Sequence, residues 1–88
     1  EMAQAPKAEV AGRVGYWVQV AALSRQDLAD GVRQRVVALG FRPEQVVVRG
    51  IGGSFRVRLG PFPDDASARR VVSRLRAQGF ADAFPVVE

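Results

Sequence analysis

Apolar and polar positions alternate in two stretches, Tyr16–Ser24 (YWVQVAALS) and Phe55–Pro63 (FRVRLGPFP), and the second repeats the apolar pattern of the first. Tyr16, Val18, Val20 and Leu23 return thirty-nine residues later as Phe55, Val57, Leu59 and Phe62. The residues between them do not return: Trp17 and Gln19 give way to Arg56 and Arg58. Successive side chains of a strand point to opposite faces. The recurring positions therefore predict a core-facing side. The others predict a second face that is free to bind something.

Helical periodicity fills the intervals. Ser24 is expected as an N-cap, with Asp27 three residues on, near the positive helix end. Leu28, Val32, Val36 and Leu39 make an apolar stripe. Gly31 weakens that helix by roughly 1 kcal/mol relative to Ala. Gly40 followed by Phe41 predicts its stop, with Phe41 packed back on Val36. After Pro43, the run Val46–Val48, the glycines 50, 52 and 53 and the stretch Ser54–Leu59 predict a hairpin. A phosphate loop would need a helix start after those glycines, and a strand follows instead. Gly60-Pro61-Phe62-Pro63 reads as a rigid turn. Asp64 or Asp65 caps a second helix with the stripe Ala68, Val71, Val72 and Leu75. Arg69, Arg70, Arg74 and Arg76 fall mostly on its outer side, a solvated face. Gly79-Phe80 ends it, and a last strand is expected at about Asp82–Val87.

The order β-α-β-β-α-β, made of two β-α-β halves, predicts an α+β, ferredoxin-like sandwich. In it a four-stranded antiparallel sheet carries both helices on one face, with the first and third strands central and related by a pseudo-twofold axis. The helix-free face would present Trp17, Gln19 and Ala21 from the first strand and Ser54, Arg56 and Arg58 from the third. Val47, Arg49 and Phe84 would join from the flanking strands. Residues 1–15, small, Ala-rich and aperiodic, are expected to be a flexible linker, and 16–88 the domain.

Composition narrows what that face could do. Eighty-eight residues with 48% hydrophobic and 25% charged suit one small globular domain. There is no cysteine for a disulfide and no apolar run long enough to span a membrane. The chain contains neither His nor Cys, which removes the commonest general base, the thiol nucleophile and most zinc sites. The acidic residues fall in the tail, at helix starts or beside strand ends. No carboxylate pair faces across a cleft as a glycosidase requires. Catalytic residues, metal and cofactor are all expected to be absent. The net charge is +4, and twelve of the thirteen basic residues are Arg. Such a surface suits polyanions and also sugars, whose hydroxyls accept from guanidinium groups. An RNA-recognition domain shares the topology but stacks bases on third-strand aromatics. Here Phe55 has core parity, so that platform is missing and no nucleic acid is expected. Trp17, Gln19, Arg56 and Arg58 form a mixed platform for a glycan, although an exposed antiparallel face is polar in any case.

YWVQVAAL, FRVRLGPF and ARRVVSRLRAQGF together resemble the SPOR domain of bacterial cell-wall and division proteins, over about Tyr16–Val87. The resemblance implies a non-catalytic, monomeric module of the periplasm or cell envelope. Such a module binds peptidoglycan glycan strands stripped of stem peptides and targets its parent to the division septum. Parents with such a C-terminal domain include rare-lipoprotein-A-type lytic transglycosylases, amidases and division proteins. Gln19 matches the family's first-strand glutamine, followed by Ala22 and Ser24. Ser54 stands where some members place a tryptophan, so stacking would fall to Trp17 or Phe84. The implied glycan site is Trp17, Gln19, Ala22, Ser24, Arg49, Ser54, Arg56, Arg58 and Phe84. The lactyl carboxylates freed by peptide removal would suit Arg56 or Arg58. Gln19→Lys and Arg58→Ala are expected to weaken binding with little change in Tm. A protein-interaction module of the envelope is the alternative use of the same face, and an RNA-binding domain a weaker one.

Overall fold

Alternation and helical period resolve into six main elements. The computed structural model describes residues 15–87. The linker expected at 1–15 lies, apart from Gly15, outside the described residues. Strand β1 (Tyr16–Leu23) leads to helix α1 (Gln26–Ala38), a short 3-10 turn at Pro43–Gln45, and strands β2 (Val46–Ile51) and β3 (Ser54–Phe62). Helix α2 (Asp65–Ala77) and strand β4 (Phe84–Val87) complete the domain. The sheet order is β2-β3-β1-β4 with every pairing antiparallel. Both helices lie on one face. Val18, Val20, Val46, Val57 and Leu59 from the sheet form a single core with Ala29, Val36, Ala68, Val72 and Leu75 from the helices. This is the ferredoxin-like α+β sandwich, and burial of each valine or leucine in that core contributes about 1.5–3 kcal/mol.

The pseudo-repeat sets the register of the two central strands. Gln19 pairs directly with Arg58, its own counterpart thirty-nine residues on. The pseudo-twofold axis therefore passes between these two residues. Each central strand slips register once on the C-terminal side of this pair, β1 between Gln19 and Ala21 and β3 opposite the interval Tyr16–Val18. The slip in β1 inserts one residue and reverses the facing of the residues after it. Ala21 comes to lie opposite the core residue Val57, and Ala22 opposite Arg56. Strict alternation placed Ala21 on the open face; the bulge turns it inward and brings Ala22 out.

Other expectations shift for local reasons. Ser24 is not the cap of α1. Arg25 holds that position without a side-chain cap bond, and its guanidinium donates to Asp27 at 3.0 and 2.7 Å. Leu28 is 47% exposed, because the helix turns the smaller Ala29 into the core instead. Residues 60–62 are not a turn but the end of β3, with Phe62 paired to Tyr16 and the Gly60–Pro61 peptide cis. The hairpin turn is the two-residue Gly52–Gly53, with φ of 56° and 82°. Two successive positive φ values match the strand twist and favour glycine at both places. Helix α2 meets its expectation. The Asp64 carboxylate accepts from the Ser67 amide at 2.7 Å, and the Gly79 and Phe80 amides donate back to Arg76 and Leu75 at 3.1 and 3.0 Å. Strand β4 starts at Phe84, after a turn through Phe80–Ala83.

Candidate functional site

The helix-free face is laid out in transverse rows by the registers of the four strands. The axial row reads Val47, Arg58, Gln19, Phe84 across β2, β3, β1 and β4. On one side of it lies the row Arg49, Arg56, Ala22, and beyond that Ile51 with Ser54. On the other side Trp17 pairs with Val86 and sits against Gly60. Eight of the nine residues expected in the site therefore share this surface. Ser24 does not: it is exposed and lies past the end of β1.

The face is not uniformly accessible. Gln19 and Arg58 retain 8% and 4% of their exposure, and the Arg58 Nε–H donates to Gln19 Oε1 at 3.3 Å. A buried guanidinium is tolerated where its donors are used, and an uncharged amide oxygen is a suitable acceptor. Trp17 is 2% exposed, with its ring laid over Gly60. A Cβ at residue 60 would stand 3.1 Å from Trp17 Cε3 and 3.2 Å from its Cδ2. The expectation that Trp17 offers an open stacking surface is thus corrected. Its side chain belongs to the right face, but the ring is covered. The accessible aromatic is Phe84, 43% exposed. Ala22 and Arg49 are exposed, and Ser54 and Arg56 are half-buried.

Two polar atoms of this face are buried without a hydrogen-bond partner, Trp17 Nε1 and Arg56 Nε. Both are donors, and residues 17 and 56 are counterparts in the repeat, on opposite sides of the Gln19–Arg58 pair. The described acidic residues lie elsewhere. Asp64 caps α2, Asp65 accepts from Arg69 at 2.6 Å, and Glu44 accepts from Arg42 in the 3-10 turn. Among the described residues no group of three or more His, Cys, Asp or Glu side chains could hold a metal ion. No helix among them is long and apolar enough to cross a membrane.

The SPOR domain pattern matches residues 12–86. The chain belongs to the SPOR family. The solution structure of the peptidoglycan-binding domain of CwlC, a cell wall lytic enzyme of B. subtilis, is similar to it. The two share 27% identity and superimpose with a TM-score of 0.74 over 88% of this chain and 92% of that one. No protein of curated description matches the chain.

Within this SPOR domain, one position that shapes the open face escaped sequence reasoning. Gly60 seats the Trp17 ring, yet it read as part of a turn. Its counterpart in the repeat, Ala21, is also small, and two small residues just past the axial pair were the available signal. Outside the open face the arginines are engaged locally. Arg74 donates to the Leu39 carbonyl and lies 4.7 Å from the Phe41 ring centroid, and Arg76 donates to the Ala83 carbonyl at 3.0 Å. Arg35 stands 4.8 Å from the Phe80 ring centroid. These contacts tie helix ends to the body of the fold, where the sequence reading expected only a solvated face.

Proposed function

We propose that this SPOR domain binds peptidoglycan glycan strands lacking stem peptides, without catalysis, and so directs its parent protein to the division septum of the cell envelope. The observation that carries this reading is the row-by-row assembly of Gln19, Arg58, Phe84, Ala22, Arg56 and Arg49 on one helix-free sheet face. It is supported by the likeness to a domain described as peptidoglycan-binding. A flat sheet accepts an extended polymer laid along it. Phe84 offers an apolar ring to a sugar face, and Arg49 and Arg56 donate to its oxygens. Peptides hanging from the lactyl groups would strike the sheet or leave polar groups buried unpaired. Selection is then by exclusion of the substituted strand. The Gln19–Arg58 pair and Trp17 lie too deep to act as the contact rim. They hold the floor of the site in shape. Residues 1–15 would serve as the tether, and one domain would suffice for one strand, so a monomer is the working unit.

Co-sedimentation with purified sacculi tests this directly. Amidase-treated sacculi, which have lost stem peptides, should pellet several-fold more of the protein than untreated ones. Phe84→Ala should reduce that pelleting, since Phe84 is accessible and adds little to the core. Equal pelleting with both sacculi would remove the denuded-strand specificity. No pelleting with either would remove the function.

A further inference from the structure

The helix layer, on the side of the sheet away from the open face, breaks the repeat as well. Leu28 stays outside the core at 47% exposure. One exposed leucine is ordinary, so its surroundings decide what it means. Leu28, Gly31 and Arg35 are spaced by three and four residues and share one side of α1. That side faces α2, because the Arg35 guanidinium stands 4.8 Å from the centroid of the Phe80 ring, which follows α2. The answering side of α2 carries Ser67, Arg70 and Arg74, the counterparts of those three residues in the repeat. Arg74 completes the exchange. It lies 4.7 Å from the Phe41 ring centroid and donates to the Leu39 carbonyl at the end of α1. The seam between the helices thus has an apolar bank on α1, with Leu28 and Gly31, and a cationic one on α2, with Arg70 and Arg74. Arg35 adds a third guanidinium from the α1 side.

All three arginines are exposed, and none forms an ion pair among the described residues. Arg70 donates to the Ser67 hydroxyl at 3.3 Å, Arg74 to a backbone carbonyl, and Arg35 packs on a ring. The carboxylates of the helices are engaged or turned aside. Asp27 and Asp65 hold Arg25 and Arg69, Asp64 caps α2, and Asp30 lies about half a turn around α1 from Leu28. We propose that this seam docks on an anionic lipid surface, with Arg35, Arg70 and Arg74 on lipid phosphates and Leu28 among the apolar groups beneath them. A guanidinium matches phosphate oxygens as a fork, and each of these three keeps N–H donors that its neighbours do not use. Basic side chains beside an exposed aliphatic one hold a protein at a lipid surface, charge drawing it in and the apolar group reaching past the headgroups. A soluble polyanion would use the charge alone and leave Leu28 in water. A single-stranded nucleic acid would stack its bases on aromatic rings, and the rings here, Phe41 and Phe80, already carry arginines. A second copy of the chain would bring the same net charge of +4 against it. The contact is peripheral, since no helix among the described residues is long and apolar enough to cross a membrane. A domain docked in this way keeps its open sheet face turned away from the lipid. The proposal therefore stands apart from the glycan reading of that face.

Co-sedimentation of the full chain with phosphatidylglycerol vesicles and with phosphatidylcholine vesicles tests the proposal. The protein should pellet with the anionic vesicles, several-fold less with the neutral ones, and progressively less as salt screens the attraction. Arg70→Gln should weaken the association about fivefold, the effect of one arginine near an anionic surface. Leu28→Ser leaves the charge unchanged and installs the residue that α2 has at this place. It should weaken the association about threefold. Arg69→Gln removes the same charge from the same helix, but on the other flank and already paired with Asp65, so its effect should stay within about twofold. Circular dichroism checks the fold of all three variants, and Leu28→Ser decides the matter where Arg70→Gln loses stability. Equal pelleting with the two lipids, or none with either, overturns the proposal and leaves the glycan reading as it stands. A loss in Arg69→Gln as large as in Arg70→Gln, with Leu28→Ser unaffected, assigns the association to net charge and overturns it too. So does an oligonucleotide that binds as tightly as the vesicles and is indifferent to Leu28→Ser, which makes the seam a nucleic-acid face.

Discussion

The two halves of this domain agree in the core and part company on the open face. Val18 and Val57, Val36 and Leu75, and Phe41 and Phe80 are counterparts, and all of them pack in or against one core. Trp17 and Arg56 are counterparts too, as are Gln19 and Arg58, and neither pair matches in chemistry. At the axis this mismatch has a structural cause. Residues 19 and 58 face each other, so a faithful repeat would set like against like. Two arginines there would hold two cations side by side where little water reaches them, at a steep electrostatic cost. One amide facing one guanidinium is a pair that can be buried. Packing alone thus requires the repeat to break at 19 and 58. It makes no such demand at 17 and 56, where both side chains keep an unsatisfied donor. The first break answers to packing; the second leaves two buried donors without hydrogen-bond partners.

The strongest test of the comparison sets Gly60 against its counterpart Ala21. Gly60 has φ of 149°, and a Cβ there would lie 3.1 Å from the Tyr16 carbonyl oxygen and from Trp17 Cε3. Gly60→Ala should cost about 2–4 kcal/mol in denaturant unfolding, combining backbone strain with overpacking against the buried Trp17 ring. Ala21 already carries a Cβ on the core side, and Ala21→Gly should cost only about 0.5–1 kcal/mol. Equal losses at the two positions would show that the Trp17 seat has no special role.

A double-mutant cycle on Gln19 and Arg58 probes the axis itself. Arg58→Met and Gln19→Met should each lower stability, and the coupling energy between them should be about 1–3 kcal/mol, the range of a buried hydrogen bond to a charged group. The burial of both residues also changes an expectation drawn from sequence. Arg58→Ala and Gln19→Lys are expected to lower Tm clearly, since each leaves a polar partner buried and unpaired. Loss of glycan binding in those variants therefore reports on the floor of the site as well as on contact. Additive single effects, with no coupling, would remove the axial pair as a stabilising feature.

How much of this was legible in the residues depends on the physical signal each feature leaves. The strand β1, the helix stripes and the sandwich follow from period two, period 3.6 and the repeat, because burial of one face forces those patterns. Seven of the eight candidate residues on the open face could be placed there for the same reason; Ala22 entered only through the family resemblance. The bulge at Val20 left no period, and so Ala21 and Ala22 exchanged faces. Depth left no mark either. Alternation tells that Trp17 and Gln19 point away from the helices but not that they are covered. The stretch Gly60–Phe62 read as a turn because Gly and Pro punctuate turns far more often than they extend a strand. Leu28 read as core because a leucine outranks Ala29 by hydrophobicity, whereas the angular position of Ala29 decided burial.

The smallest effect concerns the helix starts, where the repeat breaks once more. The N-cap of α2 is Asp64, and its counterpart at the start of α1 is Arg25, which makes no cap bond. The Ser67 backbone amide, first among several causes, holds the Asp64 carboxyl below the usual carboxylate range. A group whose folded pKa is lowered binds fewer protons folded than unfolded. Its contribution is complete above the unfolded pKa and disappears as pH falls through the folded one. Asp64→Ala should therefore lower Tm modestly at neutral pH, and the gap from the unaltered protein should close in strongly acidic solution. Arg25→Ala should change Tm less than Asp64→Ala at neutral pH, because it removes only a solvent-exposed ion pair with Asp27. Arg25→Asp should do the reverse of Asp64→Ala and raise Tm, by giving α1 the cap it lacks. If thermal melts show Arg25→Asp to be destabilising, the two helix starts differ for a reason other than capping.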